Sequence, residues 1–243
     1  MSFIEYAEGL RQHSAHVTEN LKSEISEFIT GRKIERVLHF THIENLPSIL
    51  ENGILNQKEL VSKNIPFKPS DRARQDELES GICCSITTPN RRMMQYKVRE
   101  LGSMFAVIEM STEILLLNRF ACFPSNAART DIRTLARKAP INYVGINGLS
   151  NLYLNWIVRW ASKLEDAQPT DSQSEIVIFD TIPSMNIRKI HFSPFTPTDI
   201  IESVKNLANK YVGLNLEFNC PDGFFDSELS YDSAIRNYQL DWK

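Results

Sequence analysis

Residues 37–55 read VLHFTHIENLPSILENGIL, and the residue pattern changes inside them. Val37, Leu38, His39 and Phe40 have strand character, whereas Asn45 to Glu51 reads as a helix that meets Gly53 at a C-cap position. A strand, a tight turn and a helix thus follow one another within about fifteen residues. In the strand, His39 and Thr41 share one face and Phe40 and His42 the other, because side chains alternate. The two histidines therefore do different jobs.

Upstream, Ile4, Ala7, Leu10, Val17, Leu21, Ile25 and Phe28 recur at helical spacing. The spacing predicts one amphipathic helix, or two broken near residues 13–16, ending at Gly31. Downstream, NIPFKPSDRARQDELESG (64–81) carries two prolines, much charge and a closing glycine, and reads as a loop. ICCSI (82–86) and MFAVIEM (104–110) read as strands, with NRRMMQYKVRELG (90–102) as a helix between them. ILLLN (114–118) fits a strand or a helical turn, and FACFPSNAARTDIRTLARK (120–138) a loop followed by a helix. GLSNLYLNWIVRWASKL (148–164) reads as a mixed helix whose two tryptophans belong to the core, since large aromatics dominate burial.

After a polar linker at 165–174, Ile176, Val177, Ile178 and Phe179 form the short apolar run of a buried strand, with Glu175 at its entrance. IRKIHF (187–192) is a further strand. PTDIIESVKNLANKYV (197–212) is a helix capped by Thr198 or Asp199, and the remainder holds a strand and an acidic loop. One α+β domain with a helical N-terminal extension is the simplest description.

The 243 residues, 42% of them hydrophobic, are sufficient for a sizeable core. A formal charge of −3 gives no overall basic signal, so any nucleic-acid site must be local. Cys83, Cys84, Cys122 and Cys220 form no CxxC pair and lie at no metal-ligand spacing, which implies reduced thiols and no bound metal. The N-terminal residues carry early acids and no apolar h-region, and no stretch approaches the roughly 20 apolar residues of a membrane span. A cytoplasmic protein with no membrane partner is expected. The absence of GxGxxG, GxxxxGK[ST], GxSxG and HExxH removes the common dinucleotide, P-loop, serine-hydrolase and zinc-protease mechanisms.

A carboxylate heading a buried strand is a candidate for chemistry, and on the residues alone Glu175 and His39 are candidates in an α+β enzyme or binding domain. Five stretches then agree in order with one family. LHFTHIENLPSIL with its following NGIL resembles the opening motif of the DarT family, toxins that use NAD to ADP-ribosylate bases of single-stranded DNA. SDRAR (70–74) resembles its arginine-bearing loop, and TPNRRMM (88–94) its proline, basic and methionine segment. SNAART (125–130) is similar to a motif after the central strands, and QSEIVIFDTIPSMNIRKI (173–190) to the segment holding the catalytic glutamate.

The resemblance implies an ADP-ribosyltransferase-like split, mainly antiparallel sheet with surrounding helices, and NAD as substrate. Glu175 would be the catalytic glutamate, stabilising positive charge on the ribose as nicotinamide leaves. His39 would contact the NAD ribose, with Thr41, His42 and Asn45 shaping the neighbouring turn. Arg72 would organise cofactor and base, Arg74 being the alternative. Arg91, Arg92, Lys97 and Arg99 would meet the strand's backbone. Residues 1–35 would be a helical extension, 36–192 the transferase core and 193–243 a C-terminal extension packed on it. The implied protein is the toxin of a toxin–antitoxin or phage-defence system, restrained by a macrodomain-type antitoxin. The alternatives are the same chemistry on single-stranded RNA, a silent nucleic-acid-binding module, and a protein-modifying transferase. In the TPNRRMM segment the arginine does not directly follow the proline, as it tends to in the family.

Overall fold

The computed structural model describes residues 3–14, 19–69, 76, 78–101, 104–211 and 216–219. In chain order these form α1 (Phe3–Ser14), α2 (Glu19–Gly31), β1 (Val37–His42), α3 (Leu46–Asn52), α4 (Gln57–Ser62), β2 (Ile82–Ile86), α5 (Arg91–Leu101) and β3 (Phe105–Met110). There follow α6 (Ile114–Leu117), β4 (Phe120–Phe123), α7 (Thr130–Lys138), α8 (Gly145–Asn151), α9 (Trp156–Ala161), β5 (Glu175–Ile178), β6 (Ile187–Phe192), α10 (Thr198–Tyr211) and β7 (Glu217–Asn219). The strands make one seven-stranded sheet in the order β4-β5-β2-β1-β3-β6-β7. Every pairing is antiparallel except β6 with β7, so the α+β class and the mainly antiparallel sheet are as expected.

The split is visible in the register. Strand β1 pairs with β3 at all six of its residues but with β2 only through Val37 and Leu38. Beyond Leu38 the two strands part, while β2 continues along β5 from Ile82 to Cys84. One face of the sheet is covered by a continuous core that draws on α2, α3, α6, α8 and α10, including Ile25, Leu46, Leu50, Leu115, Leu149 and Val204. The other face is covered in two pieces. Residues of α1 and α7 pack over Ala121, Phe123 and Val177, and Met94 and Val98 of α5 pack over Leu38 and Val107. Two separate covers leave a seam along the parting of β1 and β2.

The Asn45–Glu51 reading is observed as α3, closed by Gly53 at φ 80° with its N–H donating to the Ile49 carbonyl. A helix between α3 and the loop was not anticipated. Asn56 caps this α4 through a capping box with Glu59, a signal that stands in the sequence as N-x-x-E. ILLL resolves as helix α6. FACF, read as loop, is instead β4, too short to display a period and recognisable only by its pairing with β5. Residues 148–164 break into α8 and α9, and Trp156 and Trp160, expected in the core, lie on the surface. Thr198 and Asp199 are the first two residues of α10. Cys84 and Cys122 are buried free thiols, their pKa values pushed far up by desolvation. Among the described residues no helix is long and apolar enough to cross a membrane.

Candidate active site

The parting of β1 and β2 opens a cleft. His39, Phe40 and Thr41 of β1 line it, as do Ile82 and Cys83 of β2, Glu175 of β5, Met93 and Lys97 of α5, and Asn126 and Ala128 beyond β4. Ser48 and Ile49 of α3 and the turn after it complete one wall.

His39 is fixed by the parting itself. Its Nδ1 lies 2.8 Å from the Cys83 carbonyl, so the ring bridges the gap where β1 and β2 no longer share ladder hydrogen bonds. A carbonyl can only accept, so Nδ1 carries the proton, and in the neutral imidazole Nε2 is the acceptor nitrogen. Such a nitrogen suits a ligand hydroxyl.

Glu175 starts β5 opposite Phe123, the last residue of β4. The chain then turns through SNAART, and the Ala127 N–H donates to Glu175 Oε2 at 3.1 Å. A backbone donor thereby orients one carboxylate oxygen while the side chain remains half-buried at the cleft. Asn126 shapes the same turn by accepting from the Ala128 N–H at 2.8 Å.

Of the turn residues, Thr41 lines the cleft and accepts from Asn45 Nδ2 at 3.0 Å. Asn45 also donates to the Lys68 carbonyl at 2.9 Å and accepts from the Lys68 N–H at 2.8 Å. Its amide ties the following loop to the first turn. His42 does not line the cleft: it is 4% exposed and packs its ring 4.4 Å from that of Phe105. His42 thus stands behind the turn in the core and not on the cleft wall.

Arg72 and Arg74 lie outside the described residues, although Lys68 and Pro69 before them and Asp76 after them line the cleft. Among the basic residues of α5, Lys97 lines the cleft, while Arg91 and Arg92 are exposed at the start of the helix outside its lining. Arg99 belongs to the same helix.

Sequence reading did not single out Asp76, Cys83 or Asn126. Asp76 is buried in the cleft wall, where it accepts from the Leu78 N–H at 3.2 Å and from the Cys83 thiol at 3.6 Å. No periodicity marks a loop residue of this kind, whereas Asn126 sits within the SNAART motif. Among the described residues no group of three or more histidine, cysteine or carboxylate side chains gathers as metal ligands.

A family model described as DarT, ssDNA thymidine ADP-ribosyltransferase, matches residues 38–216. No curated protein matches in sequence. Among solved structures, the chain is similar to the DarT of Thermus sp. 2.9 in complex with carba-NAD+. There the identity is 14% and the TM-score 0.54, over 80% of this chain and 99% of that one. The same Thermus protein in complex with ADP-ribosylated ssDNA matches with 14% identity and a TM-score of 0.53, over 80% and 97% of the two chains. Thermosipho africanus DarTG in complex with ADP-ribose gives 16% identity and a TM-score of 0.52 over 79% of this chain. The match spans about half of that relative, 51% of its length. At these identities the structural likeness is one of fold.

Proposed function

The chain belongs to the DarT family of ssDNA thymidine ADP-ribosyltransferases, and from that premise we propose that it transfers ADP-ribose from NAD to thymidine in single-stranded DNA. The observation that carries the reading is the meeting of Glu175 and His39 in one cleft. They come from strands on either side of β2, and the parting of the sheet brings them together.

The cleft's donors and acceptors suit NAD as a substrate. His39 Nε2 accepts a ribose hydroxyl, and Thr41 adds a second hydroxyl to that wall. Lys97 supplies positive charge beside the phosphates, and Arg72, or Arg74 in its place, completes the grip on pyrophosphate or base. Glu175 faces the ribose carbon that bonds nicotinamide. As that carbon–nitrogen bond breaks, its electron pair leaves with nicotinamide and the carboxylate stabilises the positive charge on the ribose. The thymine ring nitrogen that bears a hydrogen then bonds to the same carbon and gives its proton to Glu175. The Ala127 N–H holds one carboxylate oxygen still throughout, which limits reorganisation as charge develops. Arg91, Arg92 and Arg99 on α5 meet the phosphates of the acceptor strand.

An enzyme that marks DNA bases injures its own cell. This supports a toxin restrained in the cytoplasm by a macrodomain-type antitoxin that removes the mark, and the likeness to a DarTG supports the same pairing.

Acceptor choice is tested by incubating the chain with labelled NAD and, in parallel, a thymidine-containing single-stranded DNA, the matching RNA and a protein extract. Label on the DNA alone, lost when thymidine is replaced by other nucleosides, is the expected result. Label on RNA or on protein instead would overturn the acceptor assignment and keep the transferase.

A further inference from the structure

We propose that Asn126 contacts the acceptor base, its amide donating to a carbonyl oxygen beside the nitrogen that reacts; the inference rests on the thymidine acceptor proposed above. Asn126 is 9% exposed and lines the cleft together with Ala128. Its Oδ1 accepts from the Ala128 N–H at 2.8 Å. A backbone N–H can only donate, so the atom facing it is the oxygen and the other end of the amide is the NH2 group. That group donates to no described residue. Asn45 and Asn56, which also line the cleft, differ: Asn45 donates to Thr41 and to the Lys68 carbonyl, and Asn56 to Glu59. Folds satisfy the donors they enclose, so one left uncommitted in a cleft wall points to a ligand.

Three successive residues of this turn divide the work. Asn126 presents the amide, the Ala127 N–H holds Glu175 Oε2 at 3.1 Å, and the Ala128 N–H fixes the Asn126 side chain. The Arg129 N–H closes the turn on the Asn126 carbonyl at 3.1 Å. Neighbouring Cα atoms are about 3.8 Å apart, so the amide and the carboxylate belong to one short stretch of the cleft wall. A base delivered to Glu175 therefore lies beside Asn126.

The chemistry calls for such a donor. The thymine ring nitrogen that reacts carries its hydrogen between two carbonyl groups. As that proton passes to Glu175, the electron pair left on nitrogen is shared with both carbonyl oxygens before it forms the bond to the ribose carbon. Each oxygen therefore accepts more strongly in the transition state than in the ground state. An N–H already fixed at one of them stabilises the developing charge, as donors do at an oxyanion. The same donor selects the base. Cytosine carries an amino group where thymine has the second carbonyl, and an amino donor facing the Asn126 donor would leave both unpaired.

The test uses two variants. Asn126→Asp keeps the oxygen that the Ala128 N–H requires and removes the donor, whereas Asn126→Ala removes both and adds no charge. Each is assayed beside wild type for transfer of ADP-ribose from labelled NAD to a thymidine-containing single-stranded DNA, and for NAD affinity. Both variants are expected to lose transfer by about a hundredfold and to keep NAD affinity within about twofold of wild type. Transfer is also measured on strands whose target thymidine is replaced by 2-thiothymidine or by 4-thiothymidine, since sulfur accepts a hydrogen bond poorly. One of these replacements is expected to slow the wild type about tenfold more than it slows Asn126→Ala, which has already lost the contact. Equal slowing of the two proteins by both analogues would overturn the contact. Loss in Asn126→Asp alone would assign the effect to a charge placed beside Glu175, and loss in Asn126→Ala alone to the turn; either overturns the proposal. A matching loss of NAD affinity would put the amide on the cofactor and overturn it as well. Transfer unimpaired in both variants would overturn the role of Asn126 and leave the transferase reading standing. Absence of transfer by the wild type to any acceptor would overturn that reading and this inference with it.

Discussion

His39 shows how one backbone acceptor fixes the role of a side chain. Because the Cys83 carbonyl, and not its thiol, holds Nδ1, Cys83→Ser is expected to leave the KM for NAD near the wild-type value. On the proposed role, in which His39 holds a ribose hydroxyl, His39→Ala is expected to raise that KM about two- to tenfold, with the fold retained. Steady-state kinetics on the two variants separates the backbone from the thiol. A large effect of Cys83→Ser with none from His39→Ala would contradict this reading of the cleft. Glu175 and His39 were legible in the sequence because a carboxylate heading an apolar run and a histidine in a strand break their local patterns. Asp76 and Asn126 were not, because their places depend on how loops pack against strands distant in the chain. Trp156 and Trp160 were misread because burial preference is an average, and here Arg159 takes the inward position.

Among elements, the turn after α3 is tightly constrained. Gly53 has φ 80°, and a Cβ there would lie 2.5 Å from the Ile182 carbonyl oxygen, beside the bridge that joins Ile54 to Ile182. Backbone cannot yield as a side chain does, so Gly53→Ala is expected to cost about 2–4 kcal/mol and to lower the melting temperature by roughly 5–15 °C. Gly9, inside α1, provides the contrast, because a methyl group added there would meet nothing within 4 Å. Gly9→Ala is expected to be neutral or to stabilise by about 0.5–1 kcal/mol, as alanine does in a helix interior. Thermal denaturation of both variants checks the pair. The glycine that closes α3 was readable from the residue pattern, and so were the strands with clear apolar runs. Strand β4 was not, since four apolar residues fit either period, and only pairing with β5 decides between them.

At the scale of the whole molecule, the sheet parts at one seam and remains tied elsewhere by buried polar contacts. His191 on β6, 3% exposed, is joined to Glu109 on β3 at 2.9 Å, and Arg36 approaches the same carboxylate at 3.6 Å. Burial lowers the His191 pKa from its usual 6.5, against the opposing pull of Glu109. The folded chain thus takes up this proton less readily than the unfolded one, and stability is expected to fall as pH drops below about 6.5. Denaturant midpoints measured on either side of that pH should diverge in wild type and converge in His191→Gln; equal pH dependence in both would assign the effect to other groups. The central claim, however, concerns the seam, where Glu175 performs the transfer on NAD held by neighbouring residues. Its most direct test is to measure NAD binding and ADP-ribose transfer to thymidine-containing single-stranded DNA in Glu175→Gln beside the wild type. The predicted result is NAD affinity within a few fold of wild type, by about one hydrogen bond's worth, with transfer reduced at least about a thousandfold. Transfer at the wild-type rate in Glu175→Gln would contradict the assignment.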